Sequence, residues 1–297
     1  MRVFVTGATG LIGSAVVNDL IEAGHEVVGL ARSEEGAARV KAAGAEVQRG
    51  TLQDLDVLRA AADAADGVIH TAFTHDFGNL AASAQADKLA IEAFGGVFAG
   101  SDRPLVVTSG TALFAGLGLA TEESELPDPL PVPRYSEQAA LSFADKGVRS
   151  SSIRLSPTVH GEGDHNFVPR LIELARENGA AAYIGEGTNV WPAVHLLDAA
   201  RLYRLALESA PAGSRLHAVA EQAIPFRQIA ETIGRRLNVP VTSVSGDAAE
   251  EYFGWLALFA GFDNPSSSEF TQRLLGWRPE HVGLIEDLAG DHYFAQG

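Results

Sequence analysis

The chain has 297 residues, 46% hydrophobic and 20% charged, a composition that builds a packed core. Its 22 basic and 38 acidic residues give a formal net charge of −16. That field repels phosphate backbones and anionic membranes, so nucleic acid and membrane are set aside as partners. With no cysteine, disulfides, thiol nucleophiles and thiolate metal sites are excluded together. The most apolar run, YFGWLALFAGF at 252–262, is too short to span a bilayer. The first apolar residues read as a strand rather than a targeting segment, so the cytoplasm is the expected compartment.

In chain order, RVFVT (2–6) is a β-branched and aromatic run of the kind that forms a buried parallel strand. Ile12, Val16, Leu20 and Ile21 share one face of a helix that Gly24 stops. HEVVGLA (25–31) is the next strand. Between the first strand and the helix stand Gly7, Gly10 and Gly13, within TGATGLIG. In that setting Gly7 permits the tight turn, Gly10 lets backbone approach a pyrophosphate, and Gly13 lets the helix pack closely on the sheet. The helix start offers unpaired amides to phosphates, so Thr6, Gly7, Gly10, Leu11, Ile12 and Gly13 form the expected dinucleotide turn. The second strand ends Leu30-Ala31-Arg32-Ser33. An acidic residue there would bind the adenosine ribose. Arg32 suits a 2′-phosphate instead, so NADP(H) is favoured over NAD(H). The alternative is a solvent-facing Arg32 in a loop that also carries Glu34 and Glu35.

The G-x-x-G-x-x-G spacing resembles the fingerprint of the extended and atypical short-chain dehydrogenases/reductases, the NAD-dependent epimerase/dehydratase-like proteins, and the resemblance covers nearly the whole chain. It implies an α/β fold: a Rossmann, doubly wound parallel sheet with a smaller, mostly helical C-terminal substrate lobe. Residues 1–155 plus about 193–219 would form the first, and about 156–192 with 220–297 the second. GTLQD (50–54) is similar to the family's GDLxD, with Thr51 for the first Asp and Asp54 for the second. GVIHTAF (67–73) is similar to its fourth strand. The carry-over places Leu52, Thr71, Ala72, Phe73 and Thr108 along the cofactor. His70, inside the strand, reads as a core residue.

Members of this family that move a hydride use a Ser or Thr to orient the substrate oxygen, a Tyr to transfer the proton, and a Lys four residues on to favour the phenolate. RPLVVTSGTALFAG (103–116) resembles the serine segment; the usual serine falls on Gly110, flanked by Ser109 and Thr111. PRYSEQAALSFADKGVRSSSIRLSPTVHGEGD (133–164) resembles YxxSKxxxE…LRPxNVYGPGD. Aligned on the serine, Pro133 replaces the tyrosine and Glu137 the lysine. Aligned on Tyr135, Ala139 replaces the lysine. Neither register supplies a lysine, and the three lysines are Lys41, Lys88 and Lys146. A phenol without its cation titrates near about 10 and shuttles protons poorly at neutral pH.

The loop FTHDFGN (73–79) offers His75 as a substitute proton donor beside the nicotinamide. The candidate catalytic set is therefore Ser109, Thr111, Tyr135 and His75. His75, His160, His165, Asn166 and Trp191 are expected to line the substrate pocket, with Trp191 as its roof or packed in the lobe. His195 and Asp198, in NVWPAVHLLDAARL, read as structural hydrogen-bonding residues. The histidines lack the spacing of a zinc site, so no metal is expected. Three functions follow: an NADPH-dependent reductase of a small carbonyl compound, a non-catalytic dinucleotide sensor, and, third, a nucleotide-sugar epimerase or dehydratase. A small-molecule substrate is the expected partner, and a homodimer is compatible with the family.

Overall fold

The computed structural model describes residues 1–74 and 79–294. Strands and helices alternate through its first half: β1 (Arg2–Thr6), α1 (Leu11–Glu22), β2 (Glu26–Ala31), α2 (Glu34–Ala42), β3 (Glu46–Arg49), α3 (Leu55–Asp63), β4 (Gly67–His70), α4 (Leu80–Phe98), β5 (Pro104–Gly110), α5 (Ser136–Leu141) and β6 (Arg149–Leu155). Then come β7 (Thr158–His160), α6 (Phe167–Asn178), β8 (Ala181–Ile184), β9 (Val190–His195), α7 (Leu196–Ser209) and β10 (Ser214–Ala218). The last part holds β11 (Glu221–Pro225), α8 (Phe226–Leu237), β12 (Val241–Val244), α9 (Asp247–Phe253), α10 (Ala257–Gly261), α11 (Glu269–Leu275) and α12 (Leu284–Leu288).

Seven strands form one parallel sheet in the order β10-β6-β5-β4-β1-β2-β3. Such strands are covered on both faces, which explains their continuous apolar runs. One face packs α1 and α7 through Val16, Val17, Leu20, Leu202 and Leu207. The other packs α3, α4 and α5 through Leu58, Ile91, Phe94, Phe98 and Ala140. Strand order reverses between β1 and β4, which opens a crevice at their carboxyl ends, where open α/β sheets bind ligands.

A separate apolar core joins α6, α8, α9, α10 and α12 around Trp191 and Phe226. It also contains short strands: β9 pairs with β7 and β11, and β8 with β12. The chain returns to the main sheet through α7, while β9 stays in the small sheet. The loop over 121–135 is pinned near its start. Glu122 is buried and accepts from both Thr271 N, at 2.7 Å, and Thr271 Oγ1, at 2.6 Å. Among the described residues no helix is long and apolar enough to cross a membrane.

Candidate functional site

The turn after β1 is built by close backbone approach. Gly7 has φ +71°, and a Cβ there would lie 2.5 Å from Thr71 Oγ1. A Cβ on Gly13 would lie 2.0 Å from Gly7 O, so α1 can rest on this turn only without a side chain. Gly10 differs. It caps α1 with ordinary extended backbone, is exposed, and a Cβ would meet nothing nearer than Gly7 O at 3.4 Å. The first turn of α1 carries no acidic residue, so the amides of Leu11 and Ile12 face an anion-compatible field. Across the crevice a Cβ on Gly163 would come 3.9 Å from Leu11 Cδ1, so the loop after β7 lies against the start of this helix.

At the end of β2, Arg32 is exposed and has no hydrogen bond or ion pair among the described residues. Ser33 caps α2 by accepting from Gly36 N at 3.1 Å. Arg49, opposite Ala31 on β3, donates to Ser33 O and pairs with Glu34 at 2.8 Å, drawing that carboxylate aside. Asp54 accepts from Thr51 Oγ1 at 2.8 Å and Thr51 N at 2.7 Å; the hydroxyl bond first and the amide second hold its carboxyl below the usual range. Leu52 between them is half-buried.

Below the crevice runs a buried polar network. The Thr6 hydroxyl accepts from Ala72 N at 3.4 Å and meets His70 Nδ1 at 2.7 Å. Its proton is thus available for Nδ1, leaving His70 Nε2–H to donate to Asp87 Oδ1 at 3.0 Å. Ser136 Oγ donates to Asp87 Oδ2 at 2.7 Å. Burial alone would raise the pKa of Asp87; the hydrogen bond from His70 first, then the charge of Arg134 and the Ser136 hydroxyl, outweigh it and hold the carboxyl below its ordinary range. Thr108 Oγ1 donates to His70 O at 2.9 Å and accepts from Tyr203 OH at 2.7 Å. Burial pushes the Tyr203 phenol well above its usual range. Arg134 Nη2 donates to Thr108 O at 2.8 Å, and its guanidinium lies 3.9 Å from the centroid of the Phe73 ring.

The sequence-derived catalytic candidates separate. Ser109, at the carboxyl end of β5, is buried and its Oγ has no hydrogen-bond partner among the described residues. Thr111 is engaged structurally: its Oγ1 donates to Asn264 Oδ1 at 3.0 Å, and Asn264 Nδ2 donates to Thr111 O at 2.9 Å. Tyr135 is exposed and lines an open cavity of about 640 Å³ with Glu125–Leu130, Gln138 and Arg215; none of the crevice residues is in that lining. His75 lies outside the described residues. Glu137, counted in the lysine position, points into the sheet, where Arg154 grips it from Nε at 2.8 Å and Nη2 at 2.7 Å. That pair matches the Glu and Arg of YxxSKxxxE…LRP. Counted from this glutamate, Pro133 takes the lysine position and Pro129 the tyrosine position, so this register also lacks the pair.

Two expected pocket residues are core residues instead. Trp191 is fully buried among Phe167, Phe226 and Phe262, with Nε1 donating to Phe259 O at 3.1 Å, because an indole buried in an aromatic core must still satisfy its N–H. His160 is fully buried, with Nδ1 2.8 Å from Asp287 Oδ2 and its ring edge-on to His195 at 5.3 Å. Asp287 is held low: burial opposes this, but the His160 bond and charge prevail. His165 and Asn166 are exposed in the loop that approaches α1; His165 Nδ1 is 3.1 Å from Gly163 O. His195 and Asp198 behave as structural groups. Asp198 accepts from Glu280 N and His281 N, each at 3.0 Å. Burial, then the neighbouring His160 and His281, lower the pKa of His195.

Asp87, Arg134 and Tyr203 were missed. An aspartate among the alanines of α4 was the legible signal; nothing in a proline-rich loop or in ARLYRLAL marks the other two. Among the described residues no three His, Asp or Glu side chains converge as a metal site requires.

Residues 3–95 match the family described as "NAD dependent epimerase/dehydratase family". The chain is 55% identical over 296 residues to an uncharacterized protein of Schizosaccharomyces pombe, covering 99% of this chain and 100% of that one. It is 46% identical to an uncharacterized protein of Saccharomyces cerevisiae, covering 98% and 99%. A 2-alkyl-3-oxoalkanoate reductase of Stenotrophomonas maltophilia is 27% identical, covering 81% of this chain and 77% of that one. Among solved structures, the dTDP-glucose 4,6-dehydratase DesIV of Streptomyces venezuelae, with NAD bound, superposes with a TM-score of 0.77 at 21% identity, covering 97% and 95%. Glycine turn, switch-point crevice and relatives agree: the chain belongs to the NAD-dependent epimerase/dehydratase family of extended short-chain dehydrogenase/reductase-like proteins.

Proposed function

We propose that the protein is an NADP(H)-dependent reductase of a small ketone. The observation that carries this reading is the turn in which Gly7 and Gly13 are packed with no room for a Cβ while Gly10 stays open to solvent. A turn needed only for folding would not have to leave that face bare. Gly10, Leu11 and Ile12 would hold the pyrophosphate by backbone amides, Arg32 the 2′-phosphate, and Thr71, Ala72 and Phe73 the nicotinamide end. Arg49 supports this choice by drawing Glu34 away from the place where a phosphate would sit. When bound, NADPH supplies the hydride. The chain supplies the crevice, the partnerless Ser109 hydroxyl at its rim, and the loop with His165 and Asn166 beside α1. The relative named for reduction of a 3-oxoalkanoate supports a ketone over a nucleotide sugar.

A non-catalytic sensor remains the second reading, supported by the position of Tyr135 on a separate cavity and of Glu137 in an ion pair. A panel of ketones, including 3-oxo acid esters, assayed for NADPH oxidation separates the two. Steady turnover is the expected result. Tight NADPH binding with no turnover across the panel would leave the sensor.

A further inference from the structure

The described residues place a single guanidinium at the rim where β4 and β5 end. Arg134 reaches there from the loop before α5, donates once, to Thr108 O at 2.8 Å, and stacks on Phe73. Its Nε is buried without a partner, and Nη1 has no hydrogen bond among the described residues. The nearby carboxylate, Asp87, is occupied by His70 and Ser136 rather than by the arginine. Tyr203, the other polar group facing it, gives its proton to Thr108. Among the described residues the charge is therefore held in place by a backbone carbonyl and an aromatic face, and is left short of hydrogen-bond acceptors. Thr108, which it grips, is the immediate neighbour of Ser109, whose hydroxyl is also buried and unpartnered. A buried guanidinium nitrogen and a buried hydroxyl, each without a partner among the described residues, call for an oxygen-bearing ligand, since a buried donor left unpaired is destabilising unless something pairs with it.

We infer that Arg134 is a catalytic residue: its guanidinium receives the ketone oxygen of the substrate as negative charge develops on it, with Ser109 Oγ as the second donor. This rests on the reductase reading above. In the step, a C–H bond forms at the carbonyl carbon with the electron pair of the hydride from the reduced nicotinamide. The C=O π bond breaks and its electrons pass to the oxygen. The resulting alkoxide is held against the guanidinium and takes a proton from water, so the ketone is reduced and the dinucleotide oxidised. No tyrosine is required, because a fixed cation stabilises the oxyanion directly. An arginine does this across the whole working pH range, since it is never deprotonated there.

The test compares wild type with Arg134→Gln and Arg134→Lys in two measurements. The first is ketone reduction with NADPH. The Gln variant should lose about a hundredfold in kcat and in kcat/KM alike, with the Lys variant in between. The second needs no turnover: calorimetric titration of acetate, a simple oxyanion, into the protein saturated with NADP⁺. Wild type should bind acetate, and the Gln variant should do so about tenfold more weakly. NADPH affinity should stay within about threefold in both variants, which shows that they are folded and that the rest of the site is intact. A Gln variant with unchanged turnover or unchanged acetate affinity overturns the inference, as does a wild type that binds NADP⁺ but no acetate. Failure of wild type to bind NADP(H) at all overturns the reductase reading, and the inference with it.

Discussion

Gly10 and Gly13 lie three residues apart in one fingerprint, yet a methyl group has opposite consequences at the two. At Gly13 the added carbon would lie 2.0 Å from a backbone oxygen, so the turn must move. Gly13→Ala should cost about 1–3 kcal/mol in urea denaturation and abolish NADPH binding. At Gly10 the backbone is ordinary and the space is open. Gly10→Ala should melt within a degree or so of wild type while losing NADPH affinity about tenfold or more, because only an approaching pyrophosphate contests that space. An equal loss of stability in both variants would mean that the glycines serve the fold alone. His217 gives a second prediction at this scale. Its Nδ1–H donates to Ser267 O at 2.7 Å and its Nε2 accepts from Arg154 at 3.2 Å, so a second proton would face a guanidinium. Burial first, and Arg154 second, lower its pKa to about 3. The unfolded chain takes that proton near pH ~6.5. Between these values the unfolded state binds more protons, so stability falls on acidification, and Asp87 and Asp287, both held low, add loss of the same sign in stronger acid. The melting temperature should drop from pH 7 to pH 5. His217→Gln can keep both hydrogen bonds and should narrow that drop; an unchanged difference would contradict the assignment.

At the scale of elements, β1, α1 and β2 were legible because a buried parallel strand and an amphipathic helix each leave a periodic apolar signature, and because glycine needs a reason at every close approach. The stretch 121–141 was not legible. It has no periodicity, and its anchors are long-range: Glu122 is tied to Thr271, and Glu137 to Arg154. Motif counting placed Glu137 in the catalytic lysine position, whereas Arg154, fully buried on β6, draws it under the loop, with further bonds from Arg154 to Thr121 O and Ser124 O. The same tertiary demand turned His160 and Trp191 from pocket residues into core residues; sequence spacing cannot tell a residue facing a cleft from one facing the interior a few ångströms away. Removing one partner of a buried pair strands the other charge. Glu137→Ala should therefore destabilise the protein by about 3–5 kcal/mol in urea denaturation, whereas the apolar pair Glu137→Leu with Arg154→Met should recover most of that loss. A single variant that loses less than about 1 kcal/mol would show that Arg154 is satisfied without its carboxylate.

For the whole molecule, the acidic surface and the cofactor reading are reconciled by geometry. The overall charge of −16 is screened over roughly 10 Å at ordinary salt, whereas in the proposed reading the turn amides, Arg32 and Arg134 would meet their ligand at contact distance. The lobe closes one side of that crevice through the loop after β7 and is tied to the rest by the His160–Asp287 pair and by Asp198 beneath Glu280 and His281. In the proposed reading the two ends of a dinucleotide fall at fixed places in this frame, a 2′-phosphate at the end of β2 and the nicotinamide at the ends of β4 and β5. The most direct measurement is a fluorescence titration of wild type and Arg32→Ala with NADPH and with NADH. Wild type should bind NADPH at least about tenfold more tightly than NADH, and the variant should lose that preference while keeping its NADH affinity. Absence of NADPH binding to wild type, or a preference that survives the loss of Arg32, would contradict the account.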